Sequence, residues 1–136
     1  MSYFTDVKEF HEKFDLEVRD TPIDFSHENL DPQDSELFHL RDTLMNEEWR
    51  ELKEAWIEED LVAFADAMCD LIYVVAGTAV SFGIDLDACF AEVQRSNMSK
   101  LGEDGLPIKR FDGKIMKGPD FSEPDLRSII YGERHA

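Results

Sequence analysis

Residues 61–84 read LVAFADAMCDLIYVVAGTAVSFGI, and the prediction of the fold starts from this segment. It is apolar on nearly every side except at Asp66 and Asp70, and Gly83 is a typical helix stop. We therefore predict one long helix over about residues 61–82. The uncharged run from Leu71 to Ile84 is shorter than the roughly 18 to 20 residues that a membrane span needs. We expect it to be a buried core helix, with no membrane partner.

Proline and glycine residues divide the rest of the chain into further helices and turns. The first helix is expected over about Thr5–Phe14 with Thr5 as N-cap, and a loop follows over Leu16–Gln33. The second helix should run from Asp34 or Ser35 to about Glu58, and the fourth from the cap Asp85 to about Lys100. A hairpin around Asp112-Gly113 and a short helix over Pro124–Tyr131 complete the chain. The prediction is one all-α domain, residues 1–136. It has a four-helix core bundle over about residues 5–101 and a small basic hairpin and tail over residues 102–136.

The charge distribution excludes some classes of function. The formal net charge is −17, and all of it lies in residues 1–90, because residues 91–136 carry equal numbers of acids and bases. Binding to a phosphate backbone depends on Lys and Arg, so we expect no nucleic-acid partner. The charged N-terminus has no signal-peptide pattern, and Cys69 and Cys89 have no metal-type spacing. We expect a cytoplasmic protein with free thiols.

Acidic residues occupy positions where a core is expected. On the second predicted helix the apolar arc consists of Leu37, Leu40, Leu44, Leu52 and Ala55. Glu48 and Glu51 fall inside this arc and Glu47 falls on its edge. On the third helix Asp66 and Asp70 share one face, because they are four residues apart. Antiparallel pairing about residue 59 would place Glu48 level with Asp70.

Several carboxylates packed this closely require a cation, because like charges raise each other's pKa and are costly to desolvate. The four histidines are scattered, so zinc lacks its usual nitrogen ligands. An all-oxygen cluster favours Mg²⁺ or Mn²⁺. The alternative is a solvent-wet groove that binds nothing.

The fourth predicted helix and the hairpin supply an amide and basic side chains, in contrast to the acidic side chains of the second and third helices. Asn97 and Lys100 continue the face of Leu86, Phe90 and Val93, and together suit a phosphate ester. The alternative is an ordinary helix end whose lysine complements the dipole. The hairpin bases that could close over a substrate are Lys109, Arg110, Lys114 and Lys117. The alternative for these is a solvated hairpin.

The combination and order of these residues resemble the MazG-like all-α nucleoside triphosphate pyrophosphohydrolases. The matching motifs are Glu47-Glu48-x-x-Glu51, Asp66-x-x-x-Asp70-Leu-Ile-Tyr-Val, Arg95-Ser-Asn97-Met-Ser-Lys100 and Gly113-Lys-Ile-Met-Lys-Gly118-Pro. The resemblance implies a four-helix fold that forms dimers or tetramers and splits an α,β-phosphoanhydride with Mg²⁺. It also implies metal ligands at Glu48, Glu51 and Asp70, a further ligand or water activator at Glu47, and phosphate contacts at Asn97, Lys100, Lys114 and Lys117. One departure is Ala67, where the family has Glu, and Asp66 is the candidate substitute ligand.

These observations lead to one expected function and two alternatives. We expect Mg²⁺- or Mn²⁺-dependent hydrolysis of a (deoxy)nucleoside triphosphate to the monophosphate and pyrophosphate, with Glu47 accepting the proton of the attacking water. The alternatives are phosphoribosyl-ATP hydrolysis and a non-catalytic acidic protein that mimics DNA.

Two further features concern the pocket for the base and the number of subunits. Phe10 and Phe14, with His11 beside them, could form a pocket wall or simply core, and the preferred base and sugar stay open. Because Leu71–Ile84 is apolar on all sides, we expect a homodimer or homotetramer.

Overall fold

The computed structural model describes residues 1–132, which form five helices and no strand. The helices are α1 (Tyr3–Lys13), α2 (Pro32–Ile57), α3 (Leu61–Phe82), α4 (Leu86–Met98) and α5 (Leu126–Tyr131). The predicted all-α class is confirmed. The chain divides into two compact units, Met1–Leu86 and the part from Asp87 onward.

The first two helices begin earlier than predicted because other residues cap them. The Ser2 side chain accepts a hydrogen bond from the Thr5 N–H at 3.0 Å, and the Thr5 hydroxyl accepts one from the Ser2 N–H at 2.8 Å. This is a reciprocal capping box, so Thr5 lies in the first turn and is not the N-cap. Helix α2 is capped by Asp31, whose carboxylate accepts from the Gln33 N–H, and not by Asp34 or Ser35. Pro32, assigned to the loop in the prediction, is the first helical residue, where its missing N–H costs nothing.

Helix α3 has the predicted bounds, and it runs antiparallel to α2. It ends at Gly83, whose φ of 74° is the left-handed conformation that glycine adopts without strain. The Arg41 side chain of α2 donates from Nε to the Thr78 hydroxyl at 3.1 Å and from Nη2 to the Val74 carbonyl at 2.9 Å. Pairing the early part of α2 with the late part of α3 is what the predicted reflection about residue 59 requires.

The core of the first unit lies around the second half of α3. Val7, Ala76 and Val80 are buried together, and Phe4, Val18 and Leu86 pack against them. The first half of α3 is different, since Leu61 and Val62 at its start are about four-fifths exposed. By length and composition alone α3 could cross a membrane. Instead, its two aspartates and its hydrogen bonds to Arg41 are typical of a helix that packs in a bundle.

The three helices of the first unit meet at Gly77. A Cβ atom at this position would lie 2.4 Å from Arg41 Nη2 and 2.8 Å from His11 Nε2. Only glycine leaves room for both side chains, which are themselves buried. His11 Nδ1 lies 2.9 Å from the Glu17 carbonyl oxygen, and this hydrogen bond fixes the imidazole ring. The contact therefore ties α1, α2 and α3 together through polar groups.

The second unit contains the predicted hairpin. Lys109 and Ile115 form an antiparallel bridge, and the Arg110 N–H donates to the Lys114 carbonyl at 2.8 Å. Gly113, in the turn, has a φ of 88°, which explains the Asp-Gly signal at this place. The final helix α5 is shorter than predicted, because Asp125 caps it and Leu126 is its first residue.

Two predictions about α4 are wrong. The helix ends at Met98, and Lys100 lies in the following turn, where its N–H donates to the Asn97 carbonyl at 3.2 Å. The buried residues of α4 are Cys89 and Ser96, whereas Phe90 is 69% exposed. The buried stripe is thus rotated by less than one residue step from the predicted face, which leaves Asn97 exposed.

Candidate active site

Three carboxylates of the first unit converge between α2 and α3. Glu48 and Glu51 lie one turn apart on α2, and Asp70 lies opposite them on α3. One oxygen atom from each side chain lies within 4.8 Å of the others. We call these three residues the carboxylate cluster. The predicted pairing of Glu48 with Asp70 is therefore present in the structure.

Glu48 is the central member of the carboxylate cluster. Its Oε2 atom is buried and has no hydrogen-bond partner. A buried carboxylate oxygen without a donor is costly, because it has lost its water and gained nothing in exchange. A bound cation would supply the missing partner.

The pKa shifts have the same physical origin. Burial raises the pKa of Glu48, and the neighbouring Glu51, then Asp70 and Glu47, raise it further. Burial also raises the pKa of Asp70, with smaller contributions from the charges of Asp66 and Glu51. The cluster therefore repels itself when all its members are ionised. A hard divalent ion with oxygen ligands fits such a donor set.

The two remaining acidic residues of the prediction lie at the margin. Glu47 is exposed, yet its charge acts on Glu48. Asp66 is exposed one turn before Asp70 and is not among the three converging side chains. Ala67, at the position of the missing family glutamate, is buried at 3% exposure. Whether Asp66 binds metal stays a prediction.

The four predicted phosphate contacts all belong to the second unit. Asn97, Lys114 and Lys117 are exposed, and Lys100 is partly buried. The Lys100 carbonyl accepts a hydrogen bond of 2.9 Å from the Gly118 N–H, so the chain brings Lys117 near Lys100. The Lys117 ammonium lies 4.6 Å from the centre of the Phe121 ring. Their role toward phosphate stays a prediction.

One hairpin base is already neutralised within the second unit. The Arg110 guanidinium binds both oxygens of the Asp112 carboxylate, with Nε at 2.9 Å from Oδ1. This pairing lowers the pKa of Asp112 and makes Arg110 a weaker candidate for a substrate contact than Lys109 or Lys114.

The sequence reasoning missed two residues on the helices that carry the carboxylate cluster. Arg41 is 8% exposed and lies on the same face of α2 as Glu48, seven residues away. Its position inside the apolar arc of α2 was the available signal. Tyr73 follows Asp70 by three residues on α3, and its ring makes an edge contact with Phe10 at 5.5 Å. Its spacing from Asp70 was the available signal for its position on this face, whereas its contact with Phe10 has no signal in the spacing.

The comparisons with known proteins agree on one class of enzyme. The sequence model of the phosphoribosyl-ATP pyrophosphohydrolase family matches residues 7–97. A crystal structure of a candidate NTP pyrophosphohydrolase from Exiguobacterium sp. 255-15 is 28% identical in sequence, with a TM-score of 0.52. That similarity covers 96% of this chain and 94% of the other. No curated protein matches the chain.

Fold and comparisons together define a helical hydrolase of the pyrophosphohydrolase type. The chain belongs to the phosphoribosyl-ATP pyrophosphohydrolase family, part of the MazG-like all-α superfamily that its motifs resemble. Family membership therefore supports an enzyme over the alternative of a non-catalytic acidic protein that mimics DNA.

Proposed function

We propose that this enzyme hydrolyses a (deoxy)nucleoside triphosphate to the nucleoside monophosphate and pyrophosphate, and that it needs Mg²⁺ or Mn²⁺. The observation that carries the proposal is the buried, unpartnered Oε2 of Glu48 beside the side chains of Glu51 and Asp70. Family membership supports the type of bond that is cleaved.

The metal-binding residues of the proposal are Glu48, Glu51 and Asp70, with Asp66 as an accessory ligand. When bound, the divalent ion would neutralise phosphate charge and lower the pKa of a nearby water. The three side chains come from two antiparallel helices, so the fold holds them together before any ligand arrives. Such preorganisation lowers the cost of binding.

The remaining roles follow from position and charge. Glu47 is exposed beside Glu48 and would accept the proton of the attacking water. The water oxygen bonds to phosphorus, the α,β-phosphoanhydride bond breaks, and pyrophosphate leaves. Asn97, Lys100, Lys114 and Lys117 would bind the phosphate oxygens, with lysines as charged donors.

We also propose a homodimer or homotetramer acting on the cytoplasmic nucleotide pool. The support is the apolar surface at the α2–α3 connection, where Trp56, Ile57, Leu61 and Val62 are all more than three-quarters exposed. Large exposed apolar side chains that cluster on one surface commonly mark an interface with another protein chain.

A second substrate is equally compatible with the family. Phosphoribosyl-ATP contains the same kind of phosphoanhydride, and the matching family model carries its name. This alternative places the enzyme in histidine synthesis.

One experiment tests both substrates. Pyrophosphate release is measured for the common ribo- and deoxyribonucleoside triphosphates and for phosphoribosyl-ATP, each with Mg²⁺, with Mn²⁺ and with chelator. We expect turnover of at least one triphosphate with either metal and none in chelator. Turnover of phosphoribosyl-ATP alone would favour the alternative, and turnover that persists in chelator would contradict the metal site.

A further inference from the structure

An aromatic surface of the first unit begins at Tyr73, three residues after Asp70 of the carboxylate cluster on α3. The Phe10 ring of α1 stacks on the ring of Phe14, which directly follows α1, with the two centroids 4.3 Å apart. The Tyr73 ring of α3 stands nearly perpendicular to Phe10, at an interplanar angle of 86° and a centroid distance of 5.5 Å. The three rings therefore form a corner. We call them the aromatic platform.

The aromatic platform is too exposed to be ordinary core. Phe10, Phe14 and Tyr73 are 37%, 64% and 41% exposed. The buried core of this unit lies elsewhere, around Val7, Ala76 and Val80. Three rings that touch each other and still face solvent leave ring surface available to a flat ligand.

The platform is next to the carboxylate cluster along α3. Tyr73 follows Asp70 by three residues, so the two side chains emerge on the same face with Cβ atoms roughly 5–6 Å apart. Phe10 is a ring contact beyond Tyr73. In a nucleotide, one sugar separates the base from the first phosphate. If the phosphates lie at the carboxylate cluster, the base would therefore reach the platform.

Two polar side chains close to the platform along the chain or through a hydrogen bond are already engaged within the protein, His11 after Phe10 and Arg41, which binds the carbonyl of Val74 after Tyr73. His11 Nδ1 is hydrogen-bonded to the Glu17 carbonyl, and His11 Nε2 packs at Gly77. Arg41 donates to Val74 and Thr78. His11 and Arg41 are therefore committed to contacts within the protein, and the platform itself contributes ring faces and the Tyr73 hydroxyl.

We infer that Phe10, Phe14 and Tyr73 bind the nucleobase of the substrate by stacking. This inference rests on the proposed function, because it assigns the base of the same substrate. Stacking on an aromatic ring is tolerant of base identity, since every base has a π face. The platform therefore selects for a flat base and discriminates little among exocyclic groups.

The test uses the reaction product AMP and its base-free counterpart, ribose 5-phosphate, as probes of the whole protein with saturating Mg²⁺. Calorimetry gives the Kd of each for the wild type, Phe14→Leu and Tyr73→Leu. We expect both variants to bind AMP about tenfold or more weakly, the size typical of one lost stacking contact, and ribose 5-phosphate unchanged. Tyr73→Phe should restore the wild-type affinity for AMP.

A matched control is Phe25→Leu, which removes another exposed ring of the first unit, one that contacts Phe82 and not the platform. It should leave both Kd values unchanged, and melting curves confirm that all variants fold. Wild-type affinity for AMP in both platform variants would overturn the inference, as would an equal loss for AMP and ribose 5-phosphate. Failure of the proposed function is seen separately, as absence of pyrophosphate release from every triphosphate.

Discussion

Replacing Glu48 by Gln removes one charge from the carboxylate cluster, and the resulting change in stability can be worked out from its geometry. Two unit charges 4.8 Å apart repel by about 0.9 kcal/mol at the permittivity of water and by about 3.5 kcal/mol at an effective value of 20. Glu48 takes part in two of the three repulsive pairs. Because Glu51 is exposed, solvent screening favours the low end of this range. We expect Glu48→Gln to stabilise the metal-free protein by about 2 kcal/mol.

The assay is thermal unfolding in chelator and then with Mg²⁺ or Mn²⁺. For a chain of this size, about 2 kcal/mol corresponds to a rise in Tm of roughly 5–10 °C in chelator. The wild type should gain Tm when metal is added, because the ion binds only the folded state. The variant has lost a ligand, so metal should raise its Tm much less and pyrophosphate release should be abolished.

Glu54→Gln is the matched control, because it removes the same charge from an exposed position on the same helix. Glu54 has only a weak surface ion pair, at 3.8 Å from Arg50. Its variant should melt within about 2 °C of the wild type and keep both the metal response and turnover. If Glu48→Gln melts no higher than Glu54→Gln in chelator, the repulsion inferred for the cluster is absent and the reasoning fails.

Three further predictions concern the margin of the site, the second unit and the assembly. Asp70→Asn should abolish turnover, whereas Asp66→Asn, one turn away, should retain at least a tenth of it; equal losses would make Asp66 a full ligand. Lys100→Met should lower turnover at saturating triphosphate by roughly two to three decades, as the loss of one oriented charged donor does, while Lys53→Met leaves it unchanged. Equal rates for the two lysine variants would remove Lys100 from the site. Light scattering at micromolar concentration should give a dimer or a larger species that Trp56→Glu dissociates, and a stable wild-type monomer would contradict the proposed assembly.

The bounds of a helix were predictable only where a single nearby residue was suited to cap or end it. Gly83 ends α3 as predicted, because a left-handed residue there is cheap for glycine alone. The starts of α1 and α2 were wrong because several Ser, Thr and Asp residues stand close together, and any of them can cap a helix. The actual caps are Ser2 and Asp31, and local propensity alone does not distinguish them from their neighbours.

The carboxylate cluster was predictable because it depends on helical spacing and one short connection. Glu48, Glu51 and Asp70 follow from periodicity and from the antiparallel pairing of two adjacent helices. The face of α4 was not predictable in the same way. Periodicity placed Phe90 on one face with Leu86 and Val93, but the structure buries Cys89 and Ser96 instead, so spacing alone did not show which side of α4 packs against the rest of the protein.

Arg41 and Tyr73 escaped prediction for a related reason. The position of Arg41 inside the apolar arc indicated burial, but the acceptors that it finds on the neighbouring helix are known only from the structure. Tyr73 looks like core until its exposure and its contact with Phe10 are seen. Such contacts across helices are decided by side-chain directions that spacing alone does not give.

The packing of the Arg41 side chain against Gly77 affects how accurately the side chains of the carboxylate cluster are placed. Sliding α2 by one residue against α3 would shift its side chains by about 1.5 Å along the axis and turn them by about 100°. Either change would move Glu48 relative to Asp70, and apolar contacts between leucines and alanines are not directional. The two hydrogen bonds of Arg41 are directional, so they favour the alignment in which Glu48 faces Asp70. The accuracy with which the acidic side chains meet is therefore set two helical turns away, by a residue that need never contact the substrate.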